Sequence, residues 1–253
     1  MVKIILNGCS GKMGEAVTAC VADRDDAVIT AGVDLNTSVF RSYPVFDSFS
    51  AVSGIEADVV VDFSNPSAFG GMMEYCLKNN IPAVVCSTGL SKEQIDFLHE
   101  SAEKIPVFFS ANMSLGVNLL IELAKTATKV LGNNFDIEIV EQHHNRKLDA
   151  PSGTALMIAD SIRSELDDEV DYVYDRTGRS LRRPKNEIGI HAVRGGTIVG
   201  EHEVIFAGND EILKISHSAR SKALFATGAV NAAVFLSAKA PGLYNMSDMI
   251  REG

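Results

Sequence analysis

The opening of this chain constrains its fold more than any other segment: an apolar run, Val2-Lys-Ile-Ile-Leu6, breaks into Gly8-Cys-Ser-Gly11-Lys-Met-Gly14 and then into a helix-compatible stretch. A chain that bends this sharply out of a strand cannot tolerate a Cβ at the bend, and the helix that follows presents N–H donors and a partial positive charge. About twenty residues past Gly14, Asp34 ends the next apolar run, where an acid can accept hydrogen bonds from a ribose. Strand, turn, helix and acid together predict a dinucleotide-binding βαβ unit, with Gly8, Cys9, Ser10, Gly11, Lys12, Met13, Gly14 and Asp34 as cofactor contacts. The glycine spacing departs from G-x-G-x-x-G, so the turn alone also reads as a structural bend. A carboxylate at Asp34 repels a 2′-phosphate and favours NADH, while Lys12 can offset that repulsion, so NADH and NADPH both stand as cofactors.

The first half continues this alternation. Strands are expected at Val2–Leu6, Val28–Val33, Val59–Asp62, Ala83–Cys86 and Val107–Phe109, and helices at Met13–Ala22, Ser67–Asn79 and Ser91–Ala102, the last opened by a capping-box spacing, Ser91 to Gln94. The pattern is α/β: a Rossmann-like, doubly wound parallel sheet. Ligands of such sheets bind beyond the carboxyl ends of the strands, which adds Phe63–Pro66, Ser87-Thr88-Gly89 and Ser110-Ala111-Asn112-Met113 as candidate loops. After a helix over Gly116–Leu131, Phe135–Glu141 alternates apolar and acidic residues as a half-exposed strand does. Ile188–Val193, Glu201–Phe206 and Glu211–His217 are joined by Gly-Gly and Gly-Asn-Asp turns and read as antiparallel hairpins. A second, α+β domain with a mixed or antiparallel sheet is therefore expected over residues 114–218, with residues 1–113 and 219–253 forming the first. A small-residue helix, Lys222–Ser237, returns the chain to the first domain.

A net charge of −10 argues against nucleic-acid binding, since phosphates need a basic surface. Four cysteines in no paired or metal-ligand spacing fit a reducing compartment, and the short apolar N-terminus suits neither a signal peptide nor a membrane span. A cytoplasmic location is expected.

Against that acidic background, Glu141-Gln-His-His-Asn-Arg-Lys-Leu-Asp-Ala-Pro-Ser-Gly-Thr-Ala155 places His143, His144, Arg146 and Lys147 within five positions. These groups repel one another unless an anion or acidic neighbours compensate, so the loop suits a carboxylated substrate, with Glu141 and Asp149 as the alternative compensation. Ser152-Gly153-Thr154 would open a helix over Ala155–Leu166 and offer N–H groups to an anion, with Ser152 as a plain N-cap in the competing reading. Adjacent histidines on a strand point to opposite faces and no further ligand set accompanies them, so no metal site is expected.

This segment resembles the signature of dihydrodipicolinate reductases. The resemblance extends through Gly8–Gly14, Asp62-Phe-Ser, Ser87-Thr-Gly, Ser110–Asn118, Val193–His202 and Phe225–Ala229, and so covers nearly the whole chain. It implies an N-terminal dinucleotide domain, a C-terminal substrate and tetramerisation domain, and NAD(P)H-dependent reduction of a cyclic dicarboxylate in the diaminopimelate/lysine pathway. It assigns acid/base catalysis to His143, proton donation to Lys147, and substrate binding to His144, Gly153 and Thr154. Ser10, Met113 and Leu35-Asn36 depart from the family's usual residues, and the last pair bears on NADPH use. The rivals are an aspartate-type amino-acid dehydrogenase, which would lack the His-His…Lys…Ser-Gly-Thr loop, and a non-catalytic NAD(H) sensor, which should carry a basic helix-turn-helix or a degraded loop.

Overall fold

The computed structural model describes residues 1–252. In chain order they form β1 (Val2–Asn7), α1 (Lys12–Ala22), β2 (Ala27–Val33), β3 (Val45–Phe46), β4 (Val59–Asp62), α2 (Pro66–Asn79), β5 (Ala83–Val85), α3 (Lys92–Ala102), β6 (Pro106–Phe109) and α4 (Leu115–Leu131). There follow β7 (Asp136–His143), α5 (Gly153–Arg163), β8 (Asp171–Val173), β9 (Glu187–Arg194), β10 (Gly200–Ala207), β11 (Ile212–Ala219), α6 (Ala223–Leu236), β12 (Gly242–Tyr244) and α7 (Met246–Glu252). The chain divides into two compact units, Met1–Leu115 with Ala223–Gly253, and Gly116–Lys222.

The first unit is a parallel sheet in the order β12-β6-β5-β4-β1-β2-β3. Its strands read as continuous apolar runs because both faces are covered. Ile4, Leu6, Val59 and Val61 pack on one side with α1 and α6, whereas Ile5, Val60 and Val85 pack on the other with α2 and α3. Local signals set the helix ends: Asn65 accepts from the Ser67 N–H (3.0 Å) ahead of Pro66, and Ser91 and Gln94 form the capping box. Helix α6 lies close to its neighbours because Ala226, Ala229, Ala232 and Ala233 have little side chain, and a Cβ on Gly228 would overlap the Met113 carbonyl. The sheet extends one strand past β6 through β12, a three-residue edge contributed by the C-terminal segment. That strand, like β3, β8 and α7, is too short to show periodicity in sequence.

The second unit is a mixed sheet ordered β11-β10-β7-β9-β8. Along β7, Ile137 and Ile139 turn onto a core shared with α4 and α5, and Ile188, Ile190, Val204 and Phe206 join them from the neighbouring strands. Strands β10 and β11 form the expected antiparallel hairpin. The connection from β9 to β10 is not the expected hairpin, because β7 lies between the two strands, parallel to β9 and antiparallel to β10. The Gly195-Gly196 loop instead bonds to the end of β7, with Gly195 N–H donating to His143 O (2.9 Å) and Asn145 N–H to Gly196 O (3.3 Å). Among the described residues, no helix is long and apolar enough to cross a membrane.

Candidate active site

In the first unit the glycine turn is built by close approach. Gly8 adopts φ +79°, and a Cβ there would sit 2.7 Å from the Phe63 carbonyl oxygen; a Cβ on Gly14 would overlap the Gly8 carbonyl. Gly11 caps α1 with no side-chain hydrogen bond, and its missing Cβ would meet only Gly8 O, at 3.5 Å. The first turn of α1 therefore keeps N–H donors for an anion, as a dinucleotide pyrophosphate requires. Asp34 accepts from Ser10 N–H and Asn36 N–H, both at 2.9 Å, one on each carboxylate oxygen. Each oxygen keeps a further acceptor site. Gly8, Gly11, Asp34 and Thr88 border one cavity of about 930 Å³, together with the Phe63–Ala68 loop and Tyr75.

Other candidates lie elsewhere. The Cys9 side chain is buried over Gly32 and Tyr43, so it offers a ligand only its backbone, and Met113 is likewise packed in the core. Lys12 and Gly89 are exposed, Met13 packs partly on the core, and Ser10 Oγ is engaged by Asn36 O (2.7 Å). Ser87 turns away from the cavity onto Asp62. Ser110, Ala111, Asn112 and Met113 do not line this cavity; Ser110 Oγ bonds Asn112 O, and Asn112 Oδ1 accepts from Ser114 N–H.

In the second unit the chemistry gathers where β7 ends. His143 and Glu141 are two apart on the strand and share a face. Glu141 is fully buried, yet it is held by donors on three sides. Arg194 on β9 spans both carboxylate oxygens (2.6 and 2.8 Å), Ser152 N–H adds 2.9 Å, and His143 Nδ1 lies at 2.6 Å. Burial pushes the Glu141 carboxyl up, but Arg194, His143 and Ser152 together hold it below the usual carboxylate range. As an ionised acceptor it requires a proton on Nδ1, which leaves Nε2 as the reactive edge of the ring. That edge faces Gly200, where a Cβ would come within 3.1 Å of Nε2.

Lys147 Nζ pairs with Asp149 Oδ2 at 2.9 Å, a partly exposed ion pair of the kind that exchanges readily. His144 has a buried Nδ1 with no hydrogen-bond partner. Ser152 Oγ caps α5 by accepting from Ala155 N–H (3.1 Å) and contacts His202 Nε2 at 3.1 Å. Nothing lies within 4 Å of a Cβ placed on Gly153, so an anion can approach the first turn of α5, where Thr154 also stands. His143, Lys147, His144, Gly153 and Thr154 thus belong to one loop and one helix start. Sequence reasoning treated Glu141 only as charge compensation and missed Arg194 and His202. A signal was available: Glu141 and His202 occupy positions in phase with the buried Ile137, Ile139, Val204 and Phe206.

Residues 2–113 match the family described as dihydrodipicolinate reductase, N-terminus, and residues 116–250 its C-terminus. The 4-hydroxy-tetrahydrodipicolinate reductase of Caldanaerobacter subterraneus subsp. tengcongensis is 51% identical over 253 residues, spanning 100% of both chains. The reductase of that name from Clostridium tetani is 48% identical over 250 residues, 99% of this chain and 97% of that one. A dipicolinate-bound dihydrodipicolinate reductase from a Paenisporosarcina species superposes with a TM-score of 0.82 at 26% identity, covering 97% of each chain. A myo-inositol dehydrogenase from Lactobacillus casei shares the fold alone, at a TM-score of 0.62 and 17% identity, over 98% of this chain and 90% of that one. Matched across both its halves by that family's two domains and about half identical to full-length reductases of the name, this chain belongs to the dihydrodipicolinate reductase family.

Proposed function

We infer that the chain reduces 4-hydroxy-tetrahydrodipicolinate to tetrahydrodipicolinate at the expense of a nicotinamide dinucleotide, in the diaminopimelate route to lysine. The observation that carries this reading is the His143 ring fixed by Glu141 with Nε2 over Gly200, followed in the chain by Lys147 and the open start of α5. Each turnover expels one water and consumes one proton along with the hydride that the bound nicotinamide supplies. His143 holds that proton at Nε2, and Lys147 exchanges Asp149 for a substrate carboxylate, where it anchors charge and donates. His144, Gly153 and Thr154 bind the dicarboxylate, through an imidazole nitrogen and the first turn of α5.

The dinucleotide belongs to residues 1–113 and 219–253: α1 takes the pyrophosphate, and Asp34 takes the ribose and favours NADH. Residues 114–218 bind the substrate and build a homotetramer. The face of the second sheet opposite α4 and α5 carries Val140, Val193, Ile205 and Ile212 among charged residues, as a subunit contact would. A cytoplasmic location completes the reading.

Nicotinamide absorbance, followed while the purified protein meets freshly generated product of the preceding synthase, tests the reaction with NADH and NADPH in separate runs. Oxidation is expected with both, faster with NADH. Silence with both returns the protein to the sensor class.

A further inference from the structure

We propose that Glu141, locked by Arg194, is a positioning residue for proton transfer: it fixes the tautomer of His143 so that the mobile proton is presented at Nε2 alone. The proposal rests on the reading of His143 as the acid/base group and extends it to residues that the loop motif does not explain.

Three observations carry it. Glu141 stands at a position of β7 whose neighbours in phase, Ile137 and Ile139, are core residues, and a carboxylate is costly there without strong compensation. Arg194 supplies that compensation bidentately and is itself tied to Asp149 O at 2.7 Å, so the carboxylate plane is fixed from β9. With Arg194 and Ser152 satisfying the rest of the carboxylate, the His143 contact falls on Oε2, in the only direction left for an imidazole on the same strand face.

The charged and titratable groups around His143 support a single-proton role. Glu141 is on its own strand, Arg194 on β9, Lys147 and Asp149 on the following loop, and His202 on β10, with His217 beside His202 on β11. The His143 and His202 rings meet edge to face with centroids 5.3 Å apart. Burial, reinforced by His143, pushes His202 down to about 4, so near neutral pH it does not compete for the proton.

The test joins a spectroscopic readout to kinetics. Long-range 1H–15N spectra of wild-type protein should show neutral His143 protonated at Nδ1. In Glu141→Gln the tautomers should mix, and kcat should fall about 10²–10⁴-fold with KM for either substrate within about threefold. Because Glu141→Gln leaves the half-buried Arg194 charge without its carboxylate, the double variant Glu141→Gln, Arg194→Gln removes both ions and should show the same spectral and kinetic changes. An Nε2–H tautomer in the wild type, or a wild-type tautomer and wild-type kcat in both variants, overturns the proposal. The spectra need no turnover, so a wild-type protein inactive on the dicarboxylate would strike the functional reading and leave the tautomer result to stand separately.

Discussion

Ser87 Oγ donates to Asp62 Oδ2 at 2.5 Å, joining the loop after β5 to the end of β4. On its other oxygen Asp62 accepts from Asn7 Nδ2 (2.8 Å) and Ser64 Oγ (2.5 Å), so one buried carboxylate fastens the carboxyl ends of three adjacent parallel strands. These are the ends that carry Gly8, the Phe63 loop and Thr88 to the cavity. The staple explains why Ser87 sits in a ligand loop without facing the ligand space.

Removing Asp62 takes the carboxylate acceptor from Asn7, Ser64 and Ser87, leaving Asn7 Nδ2 only Ser64 Oγ (2.9 Å) and Ser87 Oγ only Ser64 O (3.2 Å), at about 1–3 kcal/mol for each hydrogen bond lost. Asp62→Ala should therefore lower the urea midpoint by the equivalent of at least about 2 kcal/mol, while Ser87→Ala, which takes the Ser87 donor from buried Asp62 Oδ2 but leaves the three contacts on Oδ1, should cost less, about 1–2 kcal/mol. Both should weaken dinucleotide binding, Asp62→Ala more, as read by titration of cofactor fluorescence. Wild-type affinity in a folded Asp62→Ala protein would show that the staple does not shape the cavity.

In the proposed function His143 and Lys147 divide the proton chemistry, and a positioned acid or base typically contributes about 10²–10⁴-fold. His143→Ala and Lys147→Ala should each slow turnover by roughly that factor with both cofactors. The same proposal has Lys147 anchor substrate, so its variant should raise KM for the dicarboxylate, whereas the His143 variant should lower mainly kcat. Steady-state rates over a substrate series decide this, and unchanged turnover in both variants discards the assignment.

Asp34 borders the cavity while its oxygens already accept from Ser10 and Asn36, so its charge is fixed in place. Replacing it with alanine removes the repulsion toward a 2′-phosphate, and the ratio of kcat/KM for NADPH to that for NADH should rise about tenfold, equivalent to about 1.4 kcal/mol. Absolute activity with NADH should fall, since the proposed ribose contact loses its acceptor and the turn at Ser10 loses the Asp34 hydrogen bond. A ratio unchanged from the wild type rejects Asp34 as the discriminator.

How much of this was legible follows from where each signal resides. The first sheet is written locally: a strand covered on both faces must be a short apolar run, and Val59–Val61 and Ala83–Val85 show that without reference to any partner. The β9–β10 connection was misread because a Gly-Gly turn looks the same whether the strands it joins pair or stand apart. The choice was made by β7, more than forty residues upstream, which inserts between them. The glycine turn and the His143–Thr154 loop are contiguous in sequence and were visible as chemistry. Arg194 reaches Glu141 across 53 positions, and only the register of β7 on β9 brings them together. The out-of-place polarity of Glu141 and His202 in apolar phases was present in the sequence, but it names a buried partner without saying which.

His202 should make the protein acid-sensitive in a definite window. It is 5% exposed, with Ser152 Oγ on one ring nitrogen and no partner on Nδ1. Burial first, then the neighbouring His143, pushes its pKa down to about 4, against a partial pull upward from Glu141. An unfolded histidine takes up its proton near about pH 6.5. Between those values the unfolded chain binds more protons than the folded one, so stability is full above the window and declines as pH falls through it, by about 3 kcal/mol in total. Glu141 and Glu138, whose carboxyls are held below their usual range, lose their contribution only lower, as pH falls through their folded values. His217, also pushed down by burial, adds to the upper window with the same sign. Urea midpoints at pH 7.5 and pH 5 should therefore differ clearly in the wild type and much less in His202→Gln, which keeps a side-chain partner for Ser152 and has no proton to gain. Equal slopes in the two proteins would mean that the acid sensitivity arises elsewhere and that the buried imidazole is not held neutral against its preference.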